Sequence, residues 1–235
     1  MSSPPLSGLF EHLKAACPAA WRAYTRHEFV ARLGDGSLPD AAFRHYLAQD
    51  YLFLIHYARA LGLAVYKADR LQEIRGTLGV LKAIVDVEMG LHVAYCARWG
   101  LSEAEMEAVA EDDATLAYTR FVLERGAAGD LLDLHVAMAP CVVGYAEIGR
   151  ALAADPATKR DGNSYADWIE MYAGTEYGAV ADEAVRQLDT LYARRAGPGR
   201  LPELEKNFAA ATRLESAFWQ MGLNAAAAAA SPAGR

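Results

Sequence analysis

Apolar residues recur at intervals of three and four along almost the whole chain, and nowhere do they alternate with period two for long enough to build a strand. That pattern predicts an all-α fold of roughly eight or more helices. Helices are expected over Leu6–Tyr24, Asp40–Lys67, Leu71–Trp99, from Ser102 toward Arg125, and through Cys141 to about Ala153. Three more are expected around Tyr165–Tyr172, Thr175–Arg195 and Pro202–Leu223. Gly34-Asp35-Gly36 and Asp161-Gly162-Asn163 read as loops, and Ser102 with Glu105 forms a capping box. Pro140 removes a helical N–H and clashes with the preceding turn, so it predicts a kink or a split. Residues 1–223 read as one domain without repeat or linker, and residues 224–235 as an alanine-rich, disordered tail.

Composition narrows the function classes. A formal charge of −7 with no basic face argues against general nucleic-acid binding. No signal peptide and no apolar run of bilayer-spanning length stand out, so no membrane partner and a reducing cytoplasm are expected. Cys17, Cys96 and Cys141 form neither a CxxC pair nor an even disulfide framework, and are expected as free thiols.

Several residues carry more polarity than a helical core needs. The stripe Phe43, Tyr46, Leu47, Phe53, Leu54, Tyr57 has Asp50 in its middle. A lone buried carboxylate is costly, so Asp50 is either bonded to a neighbouring helix or binds a polar ligand. Glu215 interrupts Phe208, Ala211, Phe218, Trp219 and Gly222 in the same way. It is either paired with an arginine or is a buried carboxyl whose raised pKa suits proton transfer near neutrality. Cys141 and Tyr145, four apart, share a helical face. A cysteine just after Pro140, at a fresh helix start, would have its thiol pKa lowered by the helix dipole. Tyr165, Trp168 and Tyr172 form an aromatic stripe that reads first as core, and the spacing around Tyr118 is weaker still. Glu88 and His92 have metal-ligand spacing, but a helical di-metal site needs a second such pair, and His45, His56 and His135 supply none. An intrahelical hydrogen bond or a capping role is the expected one, and no metal site is expected.

A set of short segments stands out along the chain: His27-Glu28-Phe29-Val30, Gly34 through Pro39, Tyr46-Leu47-Ala48-Gln49-Asp50-Tyr51, and Glu88-Met89-Gly90-Leu91-His92. The set continues through Ala117-Tyr118-Thr119, Pro140-Cys141 with Tyr145, Trp168-Ile169 with Tyr172, and Glu215 with Phe218-Trp219. In their order and spacing, over roughly residues 8–223, the chain resembles the TenA (thiaminase II, aminopyrimidine aminohydrolase) family.

The resemblance implies a haem-oxygenase-like multi-helix bundle, a homotetramer, and no metal or organic cofactor. It makes Cys141 the nucleophile and Glu215 the acid/base, with Asp50 bonding the ring nitrogen and exocyclic amine of a 4-aminopyrimidine. Tyr118, Tyr145 and Tyr172 would complete the pocket, and Phe53, where several members carry tyrosine, would keep stacking but lose a hydroxyl. The cysteine-containing members imply hydrolysis of 4-amino-5-aminomethyl-2-methylpyrimidine to its 5-hydroxymethyl counterpart in thiamine salvage, with thiamine as a secondary substrate. Two competing readings are a haem-oxygenase-like metal-dependent oxidase, prompted by Glu88 and His92, and a non-catalytic pyrimidine-binding or regulatory protein.

Overall fold

The computed structural model describes residues 8–197 and 199–231, and every regular element among them is helical. The chain forms two compact units: one comprises residues through Leu38 with His135–Trp219, the other Pro39–Leu134 with the segment from Gln220.

The first unit begins with α1 (Leu9–Ala16) and α2 (Pro18–Thr25), where the periodicity predicts one helix. Pro18 explains the division. It has no N–H to continue α1 and pushes Cys17 out of the helical region, to φ −134°, ψ 52°. Helix α3 (Glu28–Asp35) starts where His27 accepts a hydrogen bond from the Phe29 N–H and ends at Gly36, whose φ of 75° suits glycine.

The second unit opens with α4 (Asp40–Lys67), followed by α5 (Leu71–Ala83), a π-helical turn (Ile84–Glu88) and α6 (Met89–Ala97). The capping box at Ser102 starts only the short α7 (Glu103–Glu107), and Asp112 caps a separate α8 (Asp113–Ala128). Buried Gln49 fastens this break to α4. It accepts from the Asp112 N–H at 2.9 Å and the Thr115 hydroxyl at 2.6 Å, and donates to the Ala110 carbonyl at 2.9 Å.

Helix α9 (Leu131–Ala154) runs unbroken through Pro140, so of the kink or split expected there the split does not occur. By length and composition it could cross a bilayer, contrary to the sequence expectation, but most of it is buried and it serves as a core helix. Helices α10 (Ala166–Ala173), α11 (Thr175–Arg195) and α12 (Arg200–Ala230) follow. The alanine-rich segment up to Ala230 continues α12 where a disordered tail was expected, and residues 232–235 lie outside the described residues.

Two glycines set how closely α9 is approached in the first unit. A Cβ at Gly144 would lie 2.3 Å from the Tyr24 ring, whose hydroxyl donates to the Pro140 carbonyl at 3.2 Å. A Cβ at Gly149 would lie 2.5 Å from the Tyr172 carbonyl carbon and 2.7 Å from the Ala173 nitrogen, so α10 rests directly on α9. Asn163 anchors the start of α10. Its amide donates to the carbonyls of Leu33, Gly34 and Lys159, and its oxygen accepts from the Tyr165 N–H. This pinning fixes where Trp168 and Tyr172 stand, because both ride on that one short helix.

Candidate active site

In the first unit, Cys141 is half-buried on α9, one turn before buried Tyr145. The Tyr145 ring meets Tyr172 edge-on at 4.9 Å and packs against Trp219 at 5.2 Å and Trp168 at 5.8 Å. Trp168 and Tyr172 lie 4.5 Å apart on α10. On α12, Glu215 is 2% exposed, one turn before Trp219. This unit therefore holds four of the predicted site residues, Cys141, Tyr145, Tyr172 and Glu215, and ties the two tyrosines together by direct ring contact.

The three thiols differ in environment. Burial pushes the Cys17 thiol up despite a hydrogen bond from Thr212 and the charge of Arg213, and it pushes Cys96 up to about 11. Both are therefore poor thiolates. The helix-start argument for Cys141 does not hold, because Cys141 sits in the middle of the continuous α9, away from any helix terminus.

The second unit holds Asp50, Phe53 and Tyr118. Phe53 and Tyr118 are buried with ring centroids 4.9 Å apart. Asp50, 5% exposed on α4, accepts at Oδ2 from the Tyr46 hydroxyl at 3.1 Å, and the same oxygen lies 2.7 Å from His92 Nε2. The other ring nitrogen of His92 lies 2.8 Å from the Glu88 carbonyl. Both nitrogens are thus engaged, and the spacing of Glu88 and His92 serves an intrahelical hydrogen bond as expected.

His92 as the partner of Asp50 is what sequence reasoning missed. The available signal was physical: a carboxylate in an apolar stripe needs a donor, and His92 is a titratable residue on a helix of the same unit.

Burial opposes the His92 imidazolium, but the hydrogen bond and charge of Asp50, aided by the charge and carbonyl of Glu88, raise its pKa above the ordinary 6.5. The stability this pairing contributes is therefore complete below the unfolded value of about 6.5 and is lost as the pH rises through the higher folded value. Breaking a buried pair costs about 3 kcal/mol. Thermal unfolding should accordingly show His92→Gln well below the wild type at about pH 6, with the gap narrowing toward about pH 9. A gap independent of pH would show that the pair is not charged in this way.

A sequence profile of the TENA/THI-4/PQQC family matches residues 15–225. The chain is 40% identical over 204 residues to an aminopyrimidine aminohydrolase of Halalkalibacterium halodurans, covering 87% of this chain and 90% of that one. It is 29% identical over 205 residues to the hydroxymethylpyrimidine/phosphomethylpyrimidine kinase THI20 of Saccharomyces cerevisiae, covering 86% of this chain but 37% of that larger protein. A crystal structure described as a TenA family transcription regulator from Silicibacter sp. TM1040 superposes with a TM-score of 0.86 at 45% identity, over 92% of this chain and 96% of that one. The all-α, haem-oxygenase-like fold expected from the sequence is the fold of these structural neighbours.

Proposed function

The chain belongs to the TENA/THI-4/PQQC family, and from that membership we propose that it hydrolyses 4-amino-5-aminomethyl-2-methylpyrimidine to 4-amino-5-hydroxymethyl-2-methylpyrimidine, releasing ammonia. It is a hydrolase of C–N bonds, as its aminohydrolase relatives are named. The observation that carries the finer reading is the half-buried Cys141, one helical turn from a tyrosine locked into an aromatic cluster. A binding protein has no need of a thiol at that place.

The chemistry explains the residue types. Direct displacement by water at a CH2 on an aromatic pyrimidine is slow. The Cys141 thiolate instead forms a bond to the ring carbon beside a ring nitrogen, while Glu215 delivers a proton to that nitrogen. The electron pair of the dearomatised ring then breaks the exocyclic C–N bond, and the amine leaves as ammonia after taking a proton. Water adds to the exocyclic carbon, the C–S bond breaks, and the ring nitrogen returns its proton to Glu215. The sum is substrate plus water giving alcohol plus ammonia.

Asp50 accepts from the exocyclic amine and bonds the ring nitrogen beside it. Tyr118, Tyr145 and Tyr172 orient and stack on the ring, and Phe53 contributes stacking alone. Thiamine, with a thiazolium leaving group on the same CH2, is the secondary substrate. The purified protein should turn over the aminomethylpyrimidine faster than thiamine, by at least about tenfold in kcat/KM. Product analysis of the two reactions in parallel tests this, and a preference for thiamine would reverse the assignment of the main substrate.

The protein acts in the cytoplasm as a homotetramer in this reading. Leu71 (60% exposed) and Leu78 (49%), seven apart on α5, put two large apolar side chains on one exposed helix face, which supports self-association. The regulator reading, shared by the description of the Silicibacter relative, is disfavoured by the charge of −7.

A further inference from the structure

In the second unit, Gln49 is 1% exposed on a face of α4 that carries Phe53 and Tyr57 at the next two turns. A leucine there would bury apolar surface without polar cost, whereas a buried amide is costly unless its hydrogen bonds are made. Gln49 makes them all to the start of α8. Its Oε1 accepts from the Asp112 N–H at 2.9 Å and from the fully buried Thr115 hydroxyl at 2.6 Å, and its Nε2 donates to the Ala110 carbonyl at 2.9 Å. About one turn further along both helices, Phe53 of α4 meets Tyr118 of α8, with ring centroids 4.9 Å apart. The pairs continue in the same direction. A Cβ at Gly126 would lie 2.8 Å from the end of Leu63, and Lys67 donates to the Ala127 and Gly129 carbonyls at 3.3 and 2.7 Å. Helices α4 and α8 therefore lie side by side and run in parallel. Apolar contact between them is non-directional, and the polar links of Lys67 and of Arg120 with His56 reach the surface. The Gln49 clamp is buried and directional, and a single buried polar group of this kind can specify the register of packed helices.

We propose that Gln49 is a positioning residue: its amide locks α8 in register on α4 and so holds Tyr118 against Phe53, in the place where the two rings meet the substrate. The inference rests on the aminopyrimidine reading above, which puts Tyr118 and Phe53 at the pyrimidine, and adds what fixes them there. An apolar side chain at position 49 keeps the two helices packed but removes the directional bonds, so α8 settles differently along α4. Tyr118 moves with it, and a displacement of about 1 Å in a group that orients the substrate costs up to about a hundredfold in turnover.

The test is a cycle of four proteins, wild type, Gln49→Met, Tyr118→Leu and the double variant, each assayed for turnover of the aminomethylpyrimidine and for Tm. Gln49→Met should lower kcat/KM at least about tenfold in the wild-type background, and less than about twofold where Tyr118 is already replaced. A residue that only supports the fold lowers Tm and acts alike in both backgrounds, so an equal fall in the two overturns the inference. Unchanged turnover in a folded Gln49→Met does the same. Thr115→Val removes the clamp from the α8 side, and it decides the matter in the same cycle if Gln49→Met does not fold. In the ligand-free protein, the NMR signals of the Tyr118 ring, assigned by their loss in Tyr118→Phe, should shift in Gln49→Met. Signals that stay in place overturn the inference and leave the hydrolase reading intact. A wild type that turns over no aminopyrimidine, or a Tyr118→Leu as active as the wild type, removes the reading and the inference with it, even where the signals move.

Discussion

Cys141→Ser is expected to bind the aminomethylpyrimidine within a few-fold of the wild-type affinity and to lose turnover by on the order of a thousandfold or more. The substitution exchanges sulfur for oxygen with little change in shape, on the face of a continuous helix and at a half-buried position. Its cost to folding is therefore within about 1 kcal/mol. The chemical cost is large because a serine hydroxyl ionises far less readily than a thiol and is the weaker nucleophile. Cys17→Ser is the control, since that thiol is pushed up by its burial and lies one residue outside both flanking helices. It should leave turnover unchanged. Turnover retained in Cys141→Ser would mean that water or a carboxylate, and not the thiol, attacks the substrate.

Gly149→Ala should destabilise the protein, although alanine is the better helix former. In an open helix interior the exchange gains about 1 kcal/mol. At Gly149 the new methyl would meet the backbone of Tyr172 and Ala173 at 2.5 and 2.7 Å, and neither is a flexible side-chain end that can swing aside. Helix α10 must move as a body, against the Asn163 anchor at its start. Overpacking of this kind costs about 1–3 kcal/mol net, and in a chain of this size that is a fall in Tm of roughly 2–12 °C. Gly62 on α4 has nothing within 4 Å of its missing Cβ, so Gly62→Ala should raise Tm. The opposite signs at two helical glycines separate close packing from propensity. Because Tyr172 travels with α10, Gly149→Ala should also raise KM.

The parts of this fold that were legible in the sequence are those governed by local rules. Helices α4 (Asp40–Lys67) and α11 (Thr175–Arg195) were readable to the residue, because strong periodicity is bounded by Pro39 and Gly174 on one side and broken pattern on the other. Helix α3 was missed because its cap is the ring of His27 rather than a serine, threonine or aspartate. The apolar periodicity of Leu6–Tyr24 runs across Pro18, which instead starts a new helix, while the split expected as one outcome at Pro140 does not occur in a helix that tertiary packing holds together. The same override extends α12 through the alanine run, where strong intrinsic propensity continues a helix already nucleated upstream.

At the candidate site, burial was legible and partnership was not. Asp50 and Glu215 sit where their stripes place them. That Asp50 would meet His92, 42 positions away, depends on how α4 and α6 pack, which periodicity does not encode. Gly149 gave no signal for the same reason: its role is the nearness of another helix's backbone.

The central claim is tested most directly by turnover of 4-amino-5-aminomethyl-2-methylpyrimidine in water enriched in heavy oxygen, with ammonia and the pyrimidine product counted together. The account predicts one ammonia per 5-hydroxymethyl product, with one heavy oxygen in the new hydroxyl and no dependence on added metal. No turnover by the well-folded wild type, or turnover that appears only when iron or manganese is supplied, would contradict it.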